Sequence, residues 1–276
     1  MNNEISLEDS QKIALSVLER FHSICEENGF KYFLAYGTLI GAIRHEGFIP
    51  WDDDIDVMMP RKDFDRFVVF CKENEKNLYP LRLHNRENTQ YYWYGIPRLS
   101  DMRYKYVVDN TYEKPFDIGV FIDIYPLDNY GDSYDEAKRL FDKCFYMNRQ
   151  YDWYVNPTSQ GSTLRSIPKT ILHYYMRITR GKLYSQEIDY RIRDYILSNT
   201  NENNRFLGMV CFAGKIVLYE RSIVKNIELI KHNFSGKQFY IPKEYDYMLK
   251  QSFGDYMVFP PEEERHPTHH YKIYIR

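Results

Sequence analysis

Four aspartates fall within five consecutive positions, Asp52, Asp53, Asp54 and Asp56, and apolar residues bracket and interrupt them: FIPWDDDIDVMMP. This stretch constrains the fold more than any other. If it runs as a strand to about residue 59, Asp52, Asp54 and Asp56 share one face and Asp53 points the other way. Ile55 and Val57 then face a core. Like charges lined up on one sheet face repel, so their alignment costs stability. A divalent cation reverses that sign, because Mg²⁺ takes carboxylate oxygens and shares them with substrate phosphates. The plain alternative is a solvated acidic turn.

Upstream, an apolar and aromatic run, FKYFLAY (30–36), reads as a strand. Gly37 and Thr38 follow, and 38–45 reads as a short helix. A strand, a Gly-Thr turn and a helix start present backbone N–H groups and a hydroxyl to a phosphate. Gly and Thr also serve as ordinary turn and cap residues.

The stretch MNNEISLEDSQK (1–12) is polar and acidic, unlike the basic and then apolar start of a signal peptide. Residues 6–28 form an amphipathic helix pattern, with Ser6 and Asp9 as cap and Gly29 as stop. Phe64, Phe67, Val68 and Cys71 repeat at helical spacing after Pro60. Residues 79–126 read as strands: YPLRLHN, YYWYGIPRL, RYKYVV and DIGVFIDIYPL. In the last, Phe121, Asp123 and Tyr125 share a face. From 133 the pattern turns helical, at about 133–154, 164–180 and 185–198, with NPTSQGST and SNTNENN between. Short strand-like runs, GMVCFAGK and SGKQFYIP, precede a last helix at about 243–251. The expected fold is α+β: a mixed-sheet core with flanking helices over 1–132, and a mainly helical region over 133–276 packed on it, the two forming one unit or two.

A net charge of −2 gives no reason to expect nucleic acid as a partner. Cys25, Cys71, Cys144 and Cys211 form no CxxC pair and read as thiols of a reducing compartment. No run is long and apolar enough to span a bilayer, so a cytoplasmic protein is expected. The basic segment 163–182 can rest on an anionic membrane surface at the inner face, or pack as an ordinary helix.

Asp123 is the candidate third acid beside Asp54 and Asp56, with Asp117 and Asp128 as rivals. Three converging carboxylates suit metal ions on a diphosphate, one of them also placed to take a proton. Asp123 can instead be a polar group satisfied by Arg98. Arg44 and Arg98 suit phosphate oxygens, or structural ion pairs with the acids. Trp51 can stack a base or plug the core. Arg265, His266, His269 and His270 offer a polar wall, or fewer ligands than a zinc site needs.

The string GTLIGAIRHEGFIPWDDDIDVMMPRKDFDRF resembles the signature of the LicD family, phosphocholine-transferase-like proteins that decorate bacterial surface glycans. FIDIYPLD and GDYMVFPPEEERHPTHH resemble that family's later blocks, so the likeness runs through nearly the whole chain, most weakly over 133–200. The family is related to the nucleotidyltransferase fold and to fukutin-type transferases that use CDP-alditols. The resemblance implies a phosphate turn at Gly37 and Thr38, a metal-binding pair at Asp54 and Asp56, and a third carboxylate at Asp123. It further implies Mg²⁺, with Mn²⁺ as a substitute, a CDP-activated donor such as CDP-choline, and release of CMP. The acceptor would be a hydroxyl of a glycan or lipid-linked sugar, as in lipopolysaccharide or teichoic acid biosynthesis. Two other readings stay open: a nucleotidyltransferase releasing pyrophosphate, and a non-catalytic carbohydrate-binding protein whose acids hold Ca²⁺.

Overall fold

In a computed structural model, residues 4–108, 116–156, 163–181, 184–210, 215–225, 227–267 and 271–276 are described. The elements in chain order are α1 (Leu7–Asn28), β1 (Phe33–Leu34), α2 (Tyr36–His45), β2 (Asp56–Pro60), α3 (Arg61–Glu73), β3 (Leu81–His84), β4 (Arg98–Asp101), β5 (Tyr104–Val108) and β6 (Val120–Asn129). They continue with α4 (Tyr134–Val155), α5 (Thr163–Arg180), α6 (Tyr184–Asn199), β7 (Phe206–Gly208), β8 (Tyr219–Glu220), α7 (Arg221–Val224), β9 (Leu229–Phe234), β10 (Lys237–Pro242), α8 (Tyr245–Phe253) and β11 (Tyr271–Ile275). The protein is α+β, as its sequence pattern predicts.

The central sheet has the order β1-β2-β6-β4-β3, with β7 and β8 attached beyond β6. β2 runs parallel to β6, whereas β1 and β4 are antiparallel to their neighbours. Alternation along the strands separates two cores. Val57, Met59, Ile122 and Ile124 pack with Leu18 and Phe21 of α1 and Phe67 of α3. Met58, Tyr125 and Leu127 face the other way, toward Phe33, Leu207 and Met248. A third cluster, including Leu140, Tyr151, Ile188 and Ile192, joins α4 to α6.

α1 starts as its sequence directs. The Ser6 hydroxyl accepts from the Asp9 N–H, and Gly29 closes the helix at φ +64°. β1 is shorter than the run 30–36 suggests. Only Phe33 and Leu34 find partners, Met58 and Val57, because Tyr36 turns to φ +46° and already opens α2. YYWYGIPRL likewise contributes a strand only from Arg98 onward. Its rings pack as a cluster instead, with Trp93 stacked on Tyr94 at 4.0 Å.

The helical character expected of the C-terminal region is concentrated in α4, α5 and α6. After Asn199 short strands return to the N-terminal elements: β7 pairs with β6 and β11 with β5. Cys25, Cys71 and Cys144 are buried. Cys211, most of NPTSQGST and part of GMVCFAGK lie outside the described residues. No helix among the described residues is long and apolar enough to cross a membrane.

Candidate active site

One row of the sheet builds the site. Asp56 opens β2 and sits opposite Asp123 of β6, and Asp123 in turn sits opposite Arg98 of β4. Neighbours in a row point to the same face, so register alone brings two carboxylates and a guanidinium together. Asp54 joins from the loop before β2. Asp54, Asp56 and Asp123 each offer a carboxylate oxygen, all within 4.8 Å of one another. Asp117 and Asp128, the rival acids, are engaged elsewhere. Asp117 pairs with Arg276 at 2.6 Å, and Asp128 takes Arg61 through both oxygens at 2.6 and 2.8 Å.

Asp52, Asp53 and Asp54 depart from the strand that alternation predicts, since β2 begins only at Asp56. The Asp52 N–H bonds the Ile49 carbonyl in a turn. Gln11 donates to the Asp52 carbonyl at 2.8 Å, and the Tyr271 hydroxyl donates to the Asp53 carbonyl at 2.6 Å. These bonds, from α1 and β11, fold the acidic segment into a loop. Asp53 therefore does not point away: Asp52, Asp53 and Asp54 form a second group with oxygens within 4.8 Å.

Asp56 is the electrostatic focus. Burial raises its pKa well above the usual carboxylate range, Asp54, Asp123 and Asp52 raise it further, and a hydrogen bond from Tyr125 works against the rise. Its Oδ1 is buried with no hydrogen-bond partner. A buried carboxylate oxygen that lacks a donor is costly, and crowding it with acids makes it more so. A hard divalent cation resolves both problems, and the all-oxygen donor set fits one.

Arg98 is held by one carboxylate and two rings. Its Nε and Nη2 donate to Asp123 at 2.6 and 3.3 Å. Its guanidinium lies 3.6 Å from the Tyr94 ring centroid and 4.0 Å from that of Phe121. Nη1 is buried without a partner. Burial opposes the charge, but Asp123, Tyr94 and Tyr92 together outweigh it and the pKa stands well above the ordinary value.

Gly37 and Thr38 lie in the first turn of α2, not in a turn before it. The buried Thr38 hydroxyl accepts from the Asp56 N–H at 2.8 Å, and so fixes where β2 starts. A Cβ on Gly37 would lie 2.8 Å from Asp52 Oδ2. The acid thus sits against the N-terminal turn of α2, where the helix dipole favours negative charge. Gly37→Ala should leave thermal stability level or slightly raised, since alanine is the better helix residue. It should lower kcat/KM about tenfold by displacing the Asp52 carboxylate. A melting curve and a turnover assay check the pair, and unchanged turnover would remove Asp52 from the site.

Arg44 and Trp51 gather around Phe259. Arg44 donates to the Tyr256 carbonyl at 2.8 Å and lies 4.4 Å from the Phe259 centroid. Arg265 approaches Phe259 at 5.4 Å and Trp51 at 5.8 Å. Burial, and then Arg265, lower the pKa of Arg44. His266 is exposed, while His269 and His270 lie outside the described residues.

The sequence reading overlooked Gln11, Tyr94, Tyr125 and Tyr271. Only β6 parity hinted at one of them, since Tyr125 shares the face of Asp123.

Comparison with known proteins adds to this geometry. Residues 29–167 match the family described as LicD/FKTN/FKRP, nucleotidyltransferase domain. The chain is 30% identical to the lipopolysaccharide cholinephosphotransferase LicD of Haemophilus influenzae over an alignment of 290 residues, which covers 99% of each chain. It is also 30% identical over 156 residues to an uncharacterized protein of Rickettsia typhi, covering 52% of this chain and 48% of the relative.

Proposed function

The chain belongs to the LicD/FKTN/FKRP family, and from that membership we propose that it is a phosphocholine transferase drawing on a CDP-activated donor. The acceptor is a hydroxyl on a surface glycan or its lipid-linked precursor. In the transfer, the bond between the choline phosphate and CMP breaks, a phosphate ester forms on the acceptor oxygen, and CMP leaves. The hydroxyl proton is lost to a base. The observation that carries this reading is the meeting of Asp54, Asp56 and Asp123 within 4.8 Å around a buried, unpartnered Asp56 oxygen.

Asp54, Asp56 and Asp123 would hold Mg²⁺, or Mn²⁺ in its place. When bound, the cation neutralises negative charge on the donor's diphosphate. The residues of the chain do the rest. Arg98 holds Asp123 in one orientation through two hydrogen bonds. That suits Asp123 to orienting the acceptor hydroxyl, with Asp56 Oδ1 as the nearby oxygen not committed to a donor. The same Arg98 has its Nη1 corner left for a phosphate oxygen. Arg44 and Trp51 would meet the nucleotide, the guanidinium a phosphate and the indole a base. Gly37 and Thr38 shape the turn on which the acids rest. In this reading the sheet over 1–132 is the catalytic core, and 133–276 packs on it as part of one unit.

Incubation with CDP-choline, Mg²⁺ and a glycan acceptor tests the proposal. CMP release together with choline phosphate on the acceptor is the expected result. Pyrophosphate release from a nucleoside triphosphate and a sugar phosphate would instead make the protein a nucleotidyltransferase. Glycan binding with no nucleotide binding by calorimetry would make it a binding protein.

A further inference from the structure

Residues 93–96 belong to no helix or strand, so no ladder of backbone hydrogen bonds sets their course. Yet this stretch carries Tyr94, whose ring lies 3.6 Å from the Arg98 guanidinium, and Arg98 is the donor that holds Asp123. Side chains from other elements fix it instead. Arg86 donates from Nη2 to the Trp93 carbonyl at 3.1 Å, and the Tyr151 hydroxyl donates to the Tyr92 carbonyl at 3.0 Å. Trp93 passes that position on through its stack with Tyr94 at 4.0 Å. Tyr92 and Phe116 close on the same ring at 5.6 and 6.0 Å.

Arg86 is itself anchored by the helical region. Its Nη1 donates to Asp189 of α6 at 2.9 Å, and its guanidinium lies 4.4 Å from the ring of Tyr151 in α4. The side chain is 2% exposed, and Nε is buried without a partner. A guanidinium taken out of water with one N–H unmet is a poor source of stability, because its desolvation offsets what the ion pair returns. What it supplies is geometry. One planar fork ties α6 to the backbone beside Tyr94, a task that needs two donors at a fixed angle.

We propose that Arg86 is a positioning residue for the acid site, an inference that rests on reading Arg98 and the three carboxylates as the place of transfer. With Tyr151, it holds the 92–94 backbone so that the Tyr94 ring covers Arg98. The ring then confines the guanidinium to the geometry in which Nε and Nη2 meet Asp123. The helical region thereby shapes the site through two backbone carbonyls.

Three variants test this. Tyr151→Phe removes one hydrogen bond and keeps the ring. Arg86→Lys keeps the charge and loses the fork. Ile188→Val, in the cluster that joins α4 to α6, is the control for a loss of packing alone. Proton exchange at the Arg98 Nε–H, followed by heteronuclear NMR in EDTA and assigned by its absence from Arg98→Met, reads position without turnover. Exchange should quicken at least about tenfold in Arg86→Lys and about threefold in Tyr151→Phe, and keep the wild-type rate in Ile188→Val. In a CMP-release assay with Mg²⁺, Arg86→Lys should lower kcat about tenfold and leave the KM for CDP-choline within about twofold. Ile188→Val should change neither. Should Arg86→Lys fail to fold, Tyr151→Phe decides alone. Wild-type exchange in both site variants would overturn the proposal, and so would losses that Ile188→Val shares. A wild-type chain that releases no CMP would remove the donor reading, and the exchange rates would still decide the positioning role.

Discussion

Asp56→Asn should abolish turnover while leaving the protein folded and, without metal, at least as stable as the wild type. The two halves of this result come from one cause. In the folded chain Asp56 is buried, Asp54, Asp123 and Asp52 surround it, and its Oδ1 has no donor. Its pKa is raised well above the value of about 3.9 that the unfolded chain has. Between those two values the folded state keeps a proton that the unfolded state has lost. Stability therefore falls as pH rises through that window, and the loss is complete above the folded pKa. Asparagine has no such titration, and its side-chain oxygen can still accept from Tyr125. In EDTA the variant's advantage over the wild type should grow from pH 5 toward pH 8. Added Mg²⁺ should stabilise the wild type more at the upper end of that range and stabilise the variant little. Turnover should fall about a thousandfold or more, equivalent to roughly 4 kcal/mol of lost transition-state stabilisation. Melting curves across pH, with and without Mg²⁺, and a CMP-release assay read both halves. A variant within tenfold of wild-type turnover, or one less stable at pH 8 in EDTA, would show that this carboxylate has been misjudged.

Whether a feature could be read from the sequence depended on how local its cause is. α1, α4, α5 and α6 follow from apolar spacing and from residues such as Ser6, Gly29 and Ser133 that cap them. Ser133 accepts from the Glu136 N–H at 3.3 Å, three residues on. The parity of β6 also survives, because Ile122 and Ile124 answer to α1 and α3 while Asp123 and Tyr125 face the site. What failed were strands whose partners lie far along the chain. FKYFLAY is apolar throughout, yet its pairing is limited to Phe33 and Leu34, while Phe30 and Tyr32 are spent on the core beside α1. The acidic segment looked like a strand because acids and apolar residues alternate. Its loop shape is set by Gln11 and by Tyr271, the latter 218 residues from Asp53. One tyrosine among 27 gives no sign of such a role. Arg98 was visible as a cation that could serve phosphate or pair with an acid. Register opposite Asp123, which no local pattern encodes, decides its main contact.

That contact makes Arg98 the second position where a large effect is expected, here on stability. Its side chain is 3% exposed and that of Asp123 5%, so each charge is out of water and depends on the other. Replacing an entire buried pair with apolar groups can be neutral, but removing one member strands the other charge at a cost of about 3–5 kcal/mol. Arg98→Met keeps much of the volume between the Tyr94 and Phe121 rings and removes the charge. It should lower unfolding stability by about that amount in EDTA. The cost should be high here because the stranded Asp123 carboxylate also adjoins Asp54 and Asp56. Adding Asp123→Asn to Arg98→Met should return a large part of the loss, since the amide carries no charge to strand. Mg²⁺ should stabilise Arg98→Met by more than it stabilises the wild type, because the cation replaces the charge the guanidinium supplied. Urea titrations of the two single variants and the double variant, each with EDTA or Mg²⁺, close this cycle. A loss under about 1 kcal/mol, or an equal loss with Asp123 present or neutralised, would mean that the arginine is held by its ring contacts and not by its carboxylate.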